Sequence, residues 1–340
     1  MRLIFIGFGT VGQGLAEWLI DKKEYLEKTF GEKVFPVGIS DMQKGSILSS
    51  EGIELEKILE KVKSGGLLSE MSEIKFEGSA IEMIQKADAD VVLEATYTDI
   101  ETAEPATTHI RKALERGMHV VTTNKGPVSL FFKELNDLAK LQGVQFLFEG
   151  TVISGTPLLN LIRESLAGSE ITEIKGILNG TTNYILTKME EGLPYEEALK
   201  KAQELGYAEA VPDADVLGWD ALAKVTILAK FLFNIEGKPF DFPCKGITEI
   251  TPDDIAEAKQ NNQRYKLIGK VSKDGSGVKA SVAPEQLDLT HPLSSISGAT
   301  NAVTITTDTL GEVTIVGPGA GRKETGYSML IDLIKIGGKR

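Results

Sequence analysis

The stretch RLIFIGFGTVGQG, residues 2–14, constrains the fold more than any other part of the chain. A short apolar run ends at Gly7, and Gly7, Gly9 and Gly12 then stand as G-x-G-x-x-G ahead of an amphipathic segment. The first glycine permits a tight turn. The second lets backbone approach a pyrophosphate, and the third lets a helix pack closely on the strand, with free N–H groups at the helix start facing the anion. With 35 glycines in the chain the spacing alone arises easily by chance. Its position directly after a strand and before a helix supplies the context that the pattern requires.

Further short β-branched runs follow at 34–40 (VFPVGIS), 90–96 (DVVLEAT), 119–124 (HVVTTN) and 144–149 (VQFLFE), with amphipathic stretches such as 13–28 and 129–142 between them. Nearly continuous apolar strands alternating with helices indicate parallel βαβ units covered on both faces. The expected class is therefore α/β, a Rossmann-like doubly wound sheet. After Glu149 the rhythm changes to a mixed α and β pattern. It has strand-like segments at 265–272 and 278–284 around a DGSG turn signal, which reads as a hairpin. The expected division is a nucleotide-binding domain of residues 1–134 and 308–340, with a second, mixed α+β substrate-binding domain of 135–307. The segment GPGAGRKETGYSMLIDLIKI reads as a helix returning to the first domain.

The formal charge of −12 would repel nucleic acid and anionic membranes at long range. The single cysteine allows no internal disulfide, and three histidines make a Cys/His metal cluster improbable, which fits a reducing, cytoplasmic setting. The N-terminal apolar run is too short for a signal peptide, and no uninterrupted stretch of about 18 apolar residues suggests a membrane span.

An acidic residue is expected some 20 positions beyond the glycine loop, to bind the ribose. Asp41 follows the second strand, but Lys44 and Ser46 are close by, so ribose recognition by Asp41 and 2′-phosphate recognition around Lys44 are both open, and with them NAD or NADP. Lys125 stands at the carboxyl end of a parallel strand, where ligands lie in open α/β sheets. From Gly218 to Phe233 the charged residues are Asp220, Lys224 and Lys230; at about 100° per residue Asp220 and Lys224 share a face, while apolar residues cover the rest. A solvated i,i+4 pair contributes only about 0.3 to 0.5 kcal/mol. A pair on so apolar a helix is instead expected to be half-buried and to need a ligand or polar neighbours. Glu209, Asp213 and Asp215 precede it, so up to four carboxylates would converge with one ammonium group, an arrangement suited to an amino-bearing substrate.

The blocks GILNGTTNYILTKM (176–189) and LGYAEAVPDADVLGWDALAKVTILA, with TTNKGP, FEGTVISGTP, HPLSSISGATNAV and GPGAGRKETG in order, resemble homoserine dehydrogenase over nearly the whole chain. The resemblance implies NAD(P)-dependent interconversion of L-homoserine and L-aspartate 4-semialdehyde on the route to threonine, methionine and isoleucine. It implies proton transfer by Lys224, with Lys125 near cofactor and substrate. It also implies substrate binding by Glu209, Asp215 and Asp220. Cofactor contacts implied are Phe8, Gly9, Thr10, Val11, Thr96, Lys125, Gly321 and Thr325. A monovalent cation, commonly sodium, is implied at Glu149, Val152, Ser154 and Thr156, largely through carbonyl oxygens, together with a homodimer built through the second domain. Many relatives carry a C-terminal regulatory domain, and the chain stops soon after GPGAGRKETGYSMLIDLIKIGGKR, so threonine feedback through such a domain is not expected. The residues without the resemblance also admit another dehydrogenase of a small amino acid or a noncatalytic dinucleotide-sensing protein.

Overall fold

Strands β1 (Arg2–Ile6), β2 (Phe35–Asp41), β3 (Gly45–Leu48), β4 (Val91–Glu94), β5 (His119–Thr122) and β6 (Phe146–Leu147) form one sheet in the order β3-β2-β1-β4-β5-β6. The computed structural model describes residues 1–275 and 277–338. All neighbouring pairs in this sheet are parallel except β2 with β3, an antiparallel edge that the sequence reading did not include. The registers Ile6↔Ser40, Ile6↔Glu94 and Glu94↔Thr122 align the carboxyl ends, so Gly7, Asp41, Thr96 and Lys125 all emerge at one edge. Chain order reverses between β1 and β4, the switch point at which such sheets hold ligands.

Apolar residues on both faces of the sheet explain its burial. Leu3, Phe5, Val91, Leu93 and Val121 join Leu15, Leu19, Met329, Leu330 and Leu333 in one core. Met329, Leu330 and Leu333 belong to the helix Arg322–Gly337, which packs on the helix Thr10–Asp21. The approach is close because glycines face each other: a Cβ on Gly326 would lie 2.5 Å from the carbonyl carbon of Gly14. The expected return of this segment to the first domain is observed.

The second sheet is antiparallel, built from β7 (Ile171–Ile177), β8 (Gln263–Asp274), β9 (Gly277–Asp288), β10 (Thr300–Thr307) and β11 (Gly311–Pro318) in the order β11-β10-β7-β8-β9. β8 and β9 form the expected hairpin, longer than the two runs that signalled it; Ser276 of the turn signal lies outside the described residues. Helices Gly180–Glu190, Trp219–Phe233 and Pro252–Gln260 pack on β8. Gly269 lets them approach, since a Cβ there would stand 2.6 Å from Leu178 and 2.7 Å from Val225.

The chain divides into Met1–Gly155 with Gly321–Arg340, and Thr156–Ala320. Both cuts differ from those expected. A boundary at 134 would fall inside the helix Lys125–Gln142, and one at 307 would part β10 from its hairpin partner β11. Lys339 and Arg340 of the expected segment 308–340 lie outside the described residues. Among the described residues no helix is long and apolar enough to cross a membrane.

Candidate active site

In the first unit the glycine loop is built as its spacing predicts. Gly7 sits at φ +92, in the left-handed region open to glycine, and its N–H donates to Ser40 O at 2.8 Å. A Cβ on Gly7 would strike the Ala95 carbonyl oxygen, and one on Gly12 would stand 2.6 Å from Gly7 O. At Gly9 nothing lies within 4 Å of that position, which leaves the open cradle that a pyrophosphate needs. The helix Thr10–Asp21 starts immediately after Gly9, with Thr10 exposed and Val11 half-buried. The Phe8 side chain is fully buried and edge-on to Phe5, so only its backbone can serve a ligand.

The carboxylate of Asp41 ties the loop to the end of β2. Its Oδ2 accepts from Phe8 N at 2.8 Å, and its Oδ1 accepts from Gln43 N and Lys44 N at 3.0 Å each and from Lys44 Nζ at 3.4 Å. Burial pushes this carboxyl up, but the backbone N–H groups and the Lys44 ammonium outweigh it and hold Asp41 below the usual carboxylate range. Lys44 is thereby engaged at Asp41.

At the ends of β4 and β5 the N–H and hydroxyl of Thr96 both donate to Oε1 of Glu94, and the Thr122 hydroxyl donates to Glu94 Oε2 at 2.8 Å. Asn124 N donates to Thr122 Oγ1 at 3.0 Å, while the Asn124 side chain donates to Tyr97 O at 2.8 Å and accepts from Gly126 N. Asn124 so caps the helix Lys125–Gln142 and makes half-buried Lys125 its first residue, at the carboxyl edge of β5 as expected.

Gly321, at φ +133, precedes the helix Arg322–Gly337, and the Thr325 hydroxyl pairs with Ser154 Oγ at 2.6 Å. Ser154 itself sits at φ +53. Glu149 is 2% exposed and its N–H donates to Asp332 Oδ2 at 2.8 Å; Val152 is equally buried. Among the described residues no three His, Cys, Asp or Glu side chains gather as a metal would need. Thr156 belongs to the second unit, where its hydroxyl donates to Pro318 O at 3.0 Å.

The second unit answers why a buried helix carries a charge pair. Every residue from Ala221 to Lys230 is buried, and burial of each large aliphatic side chain contributes about 1.5 to 3 kcal/mol, so the helix Trp219–Phe233 is held inward. Lys224 is 7% exposed. Its Nζ donates to Asp220 Oδ2 and to Leu178 O, each at 2.6 Å. Asn179, which caps the helix Gly180–Glu190, gives one amide N–H to Asp215 Oδ1 at 2.6 Å and the other to Asp220 Oδ2 at 3.0 Å. Burial, and then the charge of Asp220, hold the Asp215 carboxyl above its ordinary range.

Of the four carboxylates expected to converge, Asp215 and Asp220 meet at Asn179. Glu209 and Asp213 are exposed; the Glu209 carbonyl accepts from Gln203 Nε2 at 3.0 Å, which folds that loop on itself. Asn179 went unassigned in the sequence reading. The signal for it was present, an Asn before GTT, which reads as a helix cap, but its bonds to residues 36 and 41 positions away follow no local period.

A family model described as homoserine dehydrogenase matches residues 157–334, and one described as homoserine dehydrogenase, NAD binding domain, matches 7–149. The chain is 44% identical over 336 residues to an NAD(+)-dependent homoserine dehydrogenase of Pseudomonas canavaninivorans, covering 98% of this chain and 96% of that one. It is 44% identical over 337 residues to a homoserine dehydrogenase of Methanocaldococcus jannaschii, covering 99% and 98%. A hyperthermophilic archaeal homoserine dehydrogenase solved in complex with NADPH superposes with a TM-score of 0.85 at 33% identity, over 98% of this chain and 97% of that one.

Proposed function

The chain belongs to the homoserine dehydrogenase family, and from that premise we propose how its residues divide the work. The reaction is the NAD(P)-dependent interconversion of L-homoserine and L-aspartate 4-semialdehyde, on the route to threonine, methionine and isoleucine. The carrying observation is the placement of Lys224. An ammonium group has three N–H donors, and two are committed to Leu178 O and Asp220 Oδ2. The third is left for the oxygen that cycles between alcohol and carbonyl.

When bound, the dinucleotide accepts or supplies the hydride. Gly7, Phe8, Gly9, Thr10, Val11 and Gly12 hold its pyrophosphate by backbone, and Asp41, Thr96, Lys125, Gly321 and Thr325 complete its site. Lys224 gives a proton to the oxygen in the reductive direction and takes it back in the oxidative one. Asp215 and Asp220, oriented by Asn179, face the substrate ammonium with negative charge, and Glu209 adds a further carboxylate from its exposed loop. Lys125 steadies the developing negative charge on oxygen. Glu149, Val152 and Ser154, with Thr156 following, supply oxygen donors to a monovalent cation, for which sodium is the proposal. A homodimer through the second unit and a cytoplasmic setting belong to the same reading.

The test is a substrate panel of L-homoserine, L-serine, L-threonine and 4-hydroxybutyrate with either cofactor. L-homoserine is expected to give the highest kcat/KM, and 4-hydroxybutyrate, lacking the ammonium, a value lower by roughly 10²-fold or more, since the half-buried carboxylates then lose their partner. Preference for another alcohol would overturn the substrate, and absence of turnover in both directions would favour a dinucleotide sensor.

Asp41 supports NAD as the preferred cofactor. An ionised carboxylate at the end of β2 accepts from ribose hydroxyls and repels a 2′-phosphate, and Lys44 is already spent on it. Asp41→Asn is expected to narrow the NAD over NADP preference in kcat/KM roughly tenfold. An unchanged ratio would take cofactor choice away from Asp41.

A further inference from the structure

The Glu94 carboxylate is wholly buried at the switch point of the sheet, and among the described residues no Lys or Arg is paired with it. A carboxylate left in such a place normally has strong hydrogen bonding to hold it. Glu94 has three donors, and each belongs to a residue from which the carboxyl edge of the sheet continues. On one side are the N–H and hydroxyl of Thr96. On the other is the Thr122 hydroxyl, whose oxygen accepts Asn124 N at 3.0 Å. Asn124 closes the circuit by donating to Tyr97 O at 2.8 Å, next to Thr96, and it sets Lys125 at the head of its helix. A closed ring, Glu94–Thr96–Tyr97–Asn124–Thr122, thus joins the ends of β4 and β5 around one acid.

We propose that Glu94 is a positioning residue that fixes Lys125 through Thr122 and Asn124, and fixes the β4 edge of the dinucleotide site through Thr96. This rests on the reading that Lys125 and Thr96 face the dinucleotide. An apolar residue of the same volume would fill the space equally well, but it would leave the buried Thr122 hydroxyl without an acceptor and release the N–H and hydroxyl of half-buried Thr96. The acid explains why Thr122 can stand in the interior at the end of β5, with half-buried Thr96 folded against the same carboxylate.

The two arms can be separated. In Glu94→Gln the amide oxygen must remain on the Thr96 side, because the Thr96 N–H can only donate. The amide nitrogen then meets Thr122 Oγ1, which already accepts from Asn124, and the Thr122 hydroxyl proton loses its acceptor. Thr122→Val removes that same arm with little change of shape in the strand. Both variants are expected to lower kcat roughly tenfold while the dinucleotide Kd, read by fluorescence titration, stays within about threefold. Because they cut one arm, the double variant should be no slower than the worse single one. Glu94→Leu cuts both arms and is expected to raise the dinucleotide Kd roughly tenfold as well.

Wild-type kcat in Glu94→Gln or Thr122→Val, or losses that multiply in the double variant, overturns the proposal even if melting temperatures fall, since a purely structural acid would move stability alone. The Kd measurements require no turnover. A chain inactive on homoserine would therefore refute the substrate while leaving the Thr96 arm to be judged on the Glu94→Leu affinity.

Discussion

Lys224→Ala is expected to lower kcat with L-homoserine by roughly 10²- to 10⁴-fold, the range for loss of a positioned proton-transfer group. The dinucleotide Kd should stay within about twofold, because the residues proposed to hold it fold in the other unit. The alanine also releases Leu178 O and leaves Asp220 with Asn179, so a fall in activity alone does not separate proton transfer from charge. Lys224→Arg does separate them. A guanidinium keeps the positive charge beside Asp220 but does not give up its proton in the working pH range, so kcat should remain low in that variant too. Single-turnover kinetics after rapid mixing read the chemical step directly. Full turnover in Lys224→Ala would remove this residue from the mechanism.

Asp220→Asn is the second large effect. The pair is half-buried on the Asp220 side, so its loss lies below the roughly 3 to 5 kcal/mol of a fully buried pair, and a loss of roughly 10- to 10²-fold in kcat/KM for L-homoserine is expected. The variant also carries a pH signature whose direction is fixed. Burial and the Asp220 charge together make Asp215 take up its proton at a higher pH than an ordinary aspartate. The substrate ammonium needs the ionised form, so kcat/KM should fall on the acid side as Asp215 protonates. Removing the Asp220 charge eases ionisation of Asp215, and the acid limb should move to lower pH in Asp220→Asn. An acid limb that stays in place, or moves up, would show that Asp215 is not the group being titrated.

The first sheet was legible because its signals are local. Each buried parallel strand is a short continuous apolar run, and Gly7 and Gly12 sit where neighbouring backbone excludes a side chain. The Asp220–Lys224 pair was legible for the same reason, since one helical turn brings residues four apart together whatever the rest of the fold does. Asn179, Glu94 and Thr122 were not. In sequence Glu94 is one more residue of DVVLEAT, and what distinguishes it is the register that sets it opposite Thr122 in a neighbouring strand. The loop carboxylates were less legible for the opposite reason. Glu209 and Asp213 are near Asp215 along the chain, but a loop has no period that would fix where their side chains go. The antiparallel β3 escaped because GSIL is short, and edge strands need little apolar content.

The helix Arg322–Gly337 covers a face of the first sheet's opening helix, yet it is translated only after the entire Thr156–Ala320 segment. All the strands of the second unit are therefore synthesised while the first still shows the bare glycine side of Thr10–Asp21 to its surroundings. The earliest-made half of this polypeptide is the last to be completed, and any chaperone dependence during biogenesis should concentrate on that waiting surface.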